Sequence, residues 1–519
     1  MKKPFFYFLM VIMMVSIIQP AAPVKAASFT DVKGFKDEIG YLTDLGIIRG
    51  FPDGTFRPDN SITRLQAVLM LMREMKVEET DIPDPGFNDV KPGSAGYQEI
   101  AAASHLGIIS GFSDGSFRPG GTLTRAQMAK ILVNAYQLYG IYPYGFTDVS
   151  ENYWGTEFIS PLAANNITVG FDDGSFKPDL AITRAQFSAF MSRILEPEFR
   201  PYNPLVKDTI LEMLFEMKLL DYDVHPTKPI IYFLDGVDNV VVAFNYETYE
   251  DHIVKLPLPA EKMDYANGKL YVTQLKRAHS SYWWEEEQEG AVAVVDAESM
   301  KYLHSINVAT DPFDIAADDE GNVFLTSGSG QHVNIKSYNS TTGEMLSDVR
   351  GPYEKSYIEM HPSQDRVYLI DTTVSPRDLE VYPISDGKLS AGKDSPYHGD
   401  YPLTTDLTIP EDGGYIFNGS GNVFYSSMTP SADMTFAGKL DRGYTSIAFD
   451  VPNKEFYTSN KNTFVQAYNY DTFRPSYQLE TYGNVQKLIY HHDALISLTE
   501  FKPKGTPKTL IGMETIYFK

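Results

Sequence analysis

The chain has 519 residues, of which 43% are apolar and 22% charged, so two or three folded domains are expected rather than one core. A formal net charge of −24 argues against nucleic acid or an anionic membrane as a partner through bulk charge. With no cysteine, disulfides, thiolate catalysis and cysteine-type zinc sites are excluded.

Lys2 and Lys3 precede an apolar run from Phe5 to Ile18, and PAAPVKAA follows with small residues placed for cleavage after Ala26. This is the pattern of a secretory signal peptide over residues 1–26. The run is shorter than the ~20 residues of a membrane span, and no later segment reaches that length without charges. Export with no membrane anchor of its own is the expectation. An exported chain without cysteine leans toward a Gram-positive envelope.

Residues 27–200 read as a threefold repeat, about 29–80, 87–140 and 146–195. FTDV, FNDV and FTDV open the copies at Phe29, Phe87 and Phe146. Each opening leads into a helical pattern that ends near YLTDLGIIRGF, AAASHLGIISGF or LAANNITVGF. A twelve-residue phrase follows, DGTFRPDNSITR at 53–64, DGSFRPGGTLTR at 114–125 and DGSFKPDLAITR at 173–184, and then a second helix. Self-similarity at a fixed period of about 59 residues means one supersecondary unit, here helix–loop–helix, stacked on copies of itself.

Thr63 with Gln66, Thr124 with Gln127 and Thr183 with Gln186 read as capping boxes. Arg64, Arg125 and Arg184 then occupy the first helical position, where the helix dipole is already positive and an added cation costs about 0.3–1 kcal/mol. Three repetitions of that choice ask for a compensating anion. One candidate is internal: Asp53, Asp114 or Asp173 of the preceding loop, or an acid of a neighbouring repeat. The other is an external carboxylate or phosphate held by the guanidinium beside free helix amides. Asp-Gly supplies a tight turn, Phe56, Phe117 and Phe176 anchor the loop in the core, and the following proline stiffens the approach to the cap. The loops lack the further acids a calcium site needs, so no metal and no cofactor is expected.

These segments resemble S-layer homology domains, the cell-wall anchoring modules of Gram-positive surface proteins, through F-x-D-V, G-I-I-x-G-F-x-D-G-[TS]-F-x-P and [IL]-T-R-x-Q. The resemblance implies an all-α pseudo-threefold bundle whose grooves bind secondary cell wall polysaccharide bearing pyruvate ketals. It implies that Arg64, Arg125 and Arg184 clamp ketal carboxylates. Gly50, Gly111 and Gly170, with Asp53, Asp114 and Asp173 of the turns, would admit the sugar, and Trp154 would stack on it. Phe35 in the first copy and Tyr97 in the second stand where Trp154 does in the third, which points to the first copy as the weakest binder. The usual Glu after T-R-A is Gln here, and the first copy has Leu65 for Ala.

From about Leu205 helical spacing gives way to short alternating runs rich in Tyr, Val, Ile and Phe. A hairpin pattern recurs seven times, centred on Tyr232, Tyr271, Phe324, Tyr368, Ile416, Tyr457 and Ile496. With further strand-like runs between them, this is the arithmetic of four strands per blade in a seven-bladed β-propeller over 201–519; a sandwich of sheets is the alternative. The last unit is one strand short, and Thr209 to Phe215 is placed to supply it. KLYVTQ and the run that follows resemble the YVTN-type repeat of quinoprotein-like propellers, a resemblance that speaks to the fold and only weakly to activity.

No catalytic motif marks this half, and its histidines are scattered. One insertion stands out, LKRAHSSYWWEEEQEG at 275–290, where Tyr282, Trp283 and Trp284 with four glutamates form either a ligand patch or a solvated loop covering a blade edge. The expected function is a non-enzymatic surface protein, held to wall polysaccharide at one end and displaying a propeller to an unknown protein or glycan at the other. A wall-anchored glycosidase or lyase is the alternative, which a carboxylate pair in a propeller-mouth pocket would favour. A lattice-forming S-layer subunit is the third reading.

Overall fold

The computed structural model describes residues 29–77, 82–502 and 508–518. The signal peptide read at 1–26 lies outside them. The chain forms two compact units, which part between Met213 and Leu214.

The first unit contains six α-helices among its described residues: α1 Lys36–Asp44, α2 Arg64–Glu74, α3 Tyr97–His105, α4 Arg125–Tyr136, α5 Thr156–Ala164 and α6 Arg184–Leu195. The three capping boxes form as the sequence requires, Thr63, Thr124 and Thr183 each accepting from the glutamine amide three residues on and the glutamine answering the threonine amide. The second helices bury their apolar faces on one shared core, to which α4 gives Ala126, Met128, Ala129, Ile131, Leu132 and Val133. Phe56, Phe117 and Phe176 are wholly buried, packed at a tilt against Phe29, Phe87 and Phe146 at 5.3–5.4 Å between centroids.

At the hub the repeats trade backbone hydrogen bonds in a closed ring. Ile62 N donates to Ile182 O at 3.0 Å, Leu123 N to Ile62 O at 3.2 Å and Ile182 N to Leu123 O at 3.0 Å. Three segments too short to form a sheet alone thus satisfy one another's amides beneath side chains that are fully buried.

The aspartate of F-x-D-V is a further structural device. Both oxygens of Asp31 accept backbone amides, Phe56 N at 2.8 Å and Arg57 N at 2.7 Å; Asp89 and Asp148 do the same in the other copies. The residues so held, Arg57, Arg118 and Lys177, have φ near +57°, a left-handed conformation that side chains larger than glycine's resist.

The second unit is a ring of seven sheets, as the sevenfold hairpin predicts, and not a sandwich. Its first blade runs Leu219–Val224, Ile230–Asp235, Val240–Asn245 and Asp251–Lys255 in sequential antiparallel order. Five further blades repeat that order, one of them with a fifth short strand. The last blade, Asn484–His491, Ala494–Phe501 and Leu510–Tyr517, takes its outer strand from Ile210–Phe215, so the beginning of the propeller closes its end. All seven hairpin centres are buried, on the second strand of each blade. Blades meet through these side chains, because each blade presents apolar residues on both faces.

The inner strands line a common axial cavity of about 520 Å³. A first strand has one unpaired edge, and here carboxylates of the preceding blade satisfy it. Asp221 accepts from Met263 N at 3.1 Å, Asp223 from Tyr265 N at 2.7 Å, Asp264 from Ala317 N at 2.6 Å and Asp314 from Ile358 N at 3.0 Å. Ser446 Oγ takes Leu488 N in the same way at 2.7 Å.

Candidate functional site

The helix-opening arginines reach across repeat boundaries. Arg64 donates from Nε to Phe117 O at 2.7 Å and from Nη2 to Ser110 O at 2.9 Å. Arg125 Nε donates to Phe176 O at 2.7 Å, and Arg184 Nε to Phe56 O at 2.9 Å. The first repeat therefore grips the second, the second the third, and the third the first. Each guanidinium carbon also lies 4.5 Å from the centroid of the phenylalanine ring whose carbonyl it holds.

These side chains are buried, at 6%, 3% and 6% exposure. Among the described residues none makes an ion pair; the acceptors are carbonyls. Burial lowers all three pKa values, that of Arg125 to about 10, with Asp148 opposing the shift and Arg193 adding to it. The internal acids do not supply the missing anion. Asp53, Asp114 and Asp173 stay in their own loops, bonded to Thr55, Ser116 and Ser175 and paired with Arg57, Arg118 and Lys177 at 3.0, 2.8 and 3.5 Å.

The expected free helix amides are not there. Arg64 N donates to Gly121 O and Leu65 N to Pro119 O, Arg125 N to Leu180 O and Ala126 N to Pro178 O, Arg184 N to Asn60 O and Ala185 N to Pro58 O, all at 2.8–3.0 Å. The neighbouring repeat has taken them, so the arginine side chain and not the helix end carries any affinity for an anion.

A second cation joins each arginine, one the sequence reading missed. The ring of Phe112 is shared by Arg64 at 5.0 Å and Arg118 at 4.1 Å, that of Phe171 by Arg125 at 4.9 Å and Lys177 at 4.0 Å, and that of Phe51 by Arg184 at 5.0 Å and Arg57 at 3.9 Å. The signal was present as F-x-D-G-x-F-[RK], a basic residue in every copy.

Beside Arg64 opens a cleft of about 140 Å³, lined by Ser110, Gly111, Phe112, Lys130 and Trp154 among others. Residues of all three repeats meet there, since Trp154 belongs to the third. Trp154 of the third copy thus lies beside the first copy's arginine, across a repeat boundary. Trp154 is 49% exposed and packs on Tyr153 and Phe158. Gly111 has a packing reason: an added Cβ would lie 2.6 Å from the ring of Phe87 and 2.9 Å from Ser116 O. Gly170 meets Phe146 and Ser175 O in the same way, and Gly50 meets Phe29 and Thr55 O.

On the propeller, the 275–290 insertion is tied down. His279 sits between Asp311 at 2.6 Å and Glu261 at 2.8 Å, and although burial opposes protonation the two acids raise its pKa to about 9. Ser280 N donates to Ser329 Oγ at 2.8 Å and Gln288 Nε2 to Ser329 O at 2.8 Å. Beyond this anchor Tyr282 is 91% and Trp284 75% exposed, whereas Trp283 is partly covered with Arg277 over its ring at 3.6 Å.

The axial cavity collects Asp221, Asp223, Asp264, Asp314, Glu359 and Asp406 against Lys262 and Lys487. Burial pushes Asp223 up to about 7, Asp314 to about 6 and Glu359 to about 8, the lowering hydrogen bonds from neighbouring amides notwithstanding.

Comparison with known proteins fixes the first unit. The S-layer homology domain matches residues 28–68, 86–129 and 145–188. The Surface-layer 125 kDa protein of Lysinibacillus sphaericus is 31% identical over 187 residues, 35% of this chain and 16% of that protein. An uncharacterized cell wall amidase of Bacillus anthracis is 33% identical over 171 residues, 32% of each chain. A cellulosome-anchoring protein of Acetivibrio thermocellus is 28% identical over 158 residues, 29% of this chain and 35% of that one. The chain spans at most about a third of each of these relatives. It carries three consecutive S-layer homology domains, and a seven-bladed β-propeller follows them.

Proposed function

We propose that the protein is a cell-surface protein, held non-covalently to the wall by its three S-layer homology domains, with the propeller displayed as a binding module. The ligand of the first unit is a secondary cell wall polysaccharide, and the group recognised is the carboxylate of a pyruvate ketal. One observation carries this reading: three buried guanidiniums have no carboxylate partner, and each shares an aromatic ring with a second cation. A carboxylate entering beside Arg64 would meet Lys130 as well, with Trp154 to stack on the sugar, while Arg118 shares the Phe112 ring and stays paired with Asp114. The name of the cellulosome-anchoring relative agrees with an anchoring role. Three modest sites tied together retain a polymer far longer than one.

Co-sedimentation of the full chain with purified walls tests this. Binding is expected to fall when polysaccharide is stripped, and to weaken about tenfold in a Lys130→Ala/Trp154→Ala double variant, whose side chains line the cleft outside the buried core. Undiminished binding by that folded variant would return the cleft to a structural role.

A wall-anchored enzyme is the second reading. The carboxylates of unequal proton affinity in the axial cavity favour it, since acid–base chemistry needs such pairs, and one relative is named an amidase. Release of soluble fragments from purified wall polymers by the full chain, lost in Glu359→Gln, would select it.

A further inference from the structure

We propose that the axial cavity of the propeller is a binding site for a linear alkylammonium ligand, a polyamine or a lysine-bearing peptide. Seven carboxylates from five successive blades, the exposed Glu411 among them, line it with two lysines. Two resident ammonium groups already lie against its walls. Lys262 Nζ lies 3.6 Å from Asp221 and 5.5 Å from the ring centroid of Tyr357, and Lys487 Nζ lies 5.5 Å from that of Tyr222. Asp223, Asp264 and Glu359 have no such cation; burial raises their pKa values, and a ligand ammonium placed beside them would favour the ionised form.

An independent polar group also lacks a partner. Tyr444, 3% exposed and lining the same cavity, has a hydroxyl with no hydrogen-bond partner, within electrostatic reach of Asp406. A ligand N–H has no use for a donor but the phenol oxygen is also an acceptor, so an ammonium would satisfy it. The acids are spread along the walls. Among the described residues no three histidine, aspartate or glutamate side chains converge to hold a metal ion, so several charges spaced along a chain fit better than one point ion. The volume of about 520 Å³ suits a ligand of that size.

Titration calorimetry of the full chain with spermidine, and separately with tri-lysine, at neutral pH and low salt tests this. Saturable binding of either is expected, and the tighter of the two identifies the carrier. Asp264→Asn and Glu359→Gln should each weaken it about tenfold. Because both side chains also hold neighbouring amides, Lys487→Met supplies the check: removing a repelling ammonium should strengthen binding about tenfold, an effect that damage to the fold would not produce. No heat with either probe, an affinity unmoved by Lys487→Met, or displacement by an equal concentration of sodium ions would overturn the proposal.

Discussion

The two units close rings of repeats with charges of opposite sign. In the first, a cation at the start of a helix donates to a carbonyl of the next repeat; in the second, a carboxylate on an inner strand accepts an amide of the next blade. The problem is common to both, because each repeat ends in backbone groups that it cannot pair by itself. Solving it from the donor side concentrates positive charge in the grooves, and from the acceptor side negative charge on the axis. What stitches each ring together also fixes which ligand charge it attracts. In the first ring the three stitching guanidiniums have no carboxylate partner among the described residues, whereas in the second Lys262 partners Asp221 and leaves Asp223, Asp264 and Glu359 without a cation.

The largest expected effect comes from removing a stitch in the first ring. Arg125→Ala should destabilise that unit by about 3 kcal/mol, through a lost hydrogen bond to a buried carbonyl and lost packing between two phenylalanine rings. Arg125→Lys should recover little, since the Nε donor is absent from lysine. Urea unfolding of the full chain should show the first unit's transition shifted and the propeller's unchanged. Of similar size is Leu123→Ala at the hub, about 2–5 kcal/mol by the same assay, given its complete burial.

The contrast in sign also predicts opposite responses to pH. Asp223, Asp314 and Glu359 have folded pKa values of about 7, 6 and 8, above the unfolded values near 4. The folded propeller therefore binds more protons, and its stability should be greatest at or below the unfolded value and fall as pH rises through about 6 to 8. Asp53 behaves in reverse: bonds from Thr55 and Arg57 lower it to about 2, so its contribution is present above the unfolded value and lost as pH falls toward about 2. Thermal unfolding followed across that range should show the two transitions moving in opposite directions. Equal movement of both would break the comparison.

Smaller effects should sharpen it. Thr183→Ala removes a capping box and should cost about 1 kcal/mol in the first unit alone. Trp284→Ala, at a tip that touches little, should change propeller stability by less than about 0.5 kcal/mol in thermal melts.

What the sequence revealed follows the same division. The capping boxes, the buried loop phenylalanines and the seven hairpin centres were legible because each rests on spacing within a single repeat. The closing strand Ile210–Phe215 was legible by counting, since one blade was short. The targets of the three arginines were hidden, because their partners lie 46–128 residues away and periodicity cannot say which copy a side chain enters. The inner-strand carboxylates were hidden for a different reason: Asp and Glu are frequent throughout the second half, and only the pleat that turns alternate residues to the axis distinguishes these from solvated ones. The duty of Asp31, Asp89 and Asp148 was visible as a recurring letter, but the left-handed residues that need it were not.

The most direct test of the anchoring account is titration of the full chain with purified wall polysaccharide, native and after mild acid removal of its pyruvate ketals. The account predicts saturable binding to the native polymer, weakening as salt is raised and lost once the ketals are gone. Equal affinity for the two polymers would contradict it and leave the three arginines as stitches between repeats and nothing more.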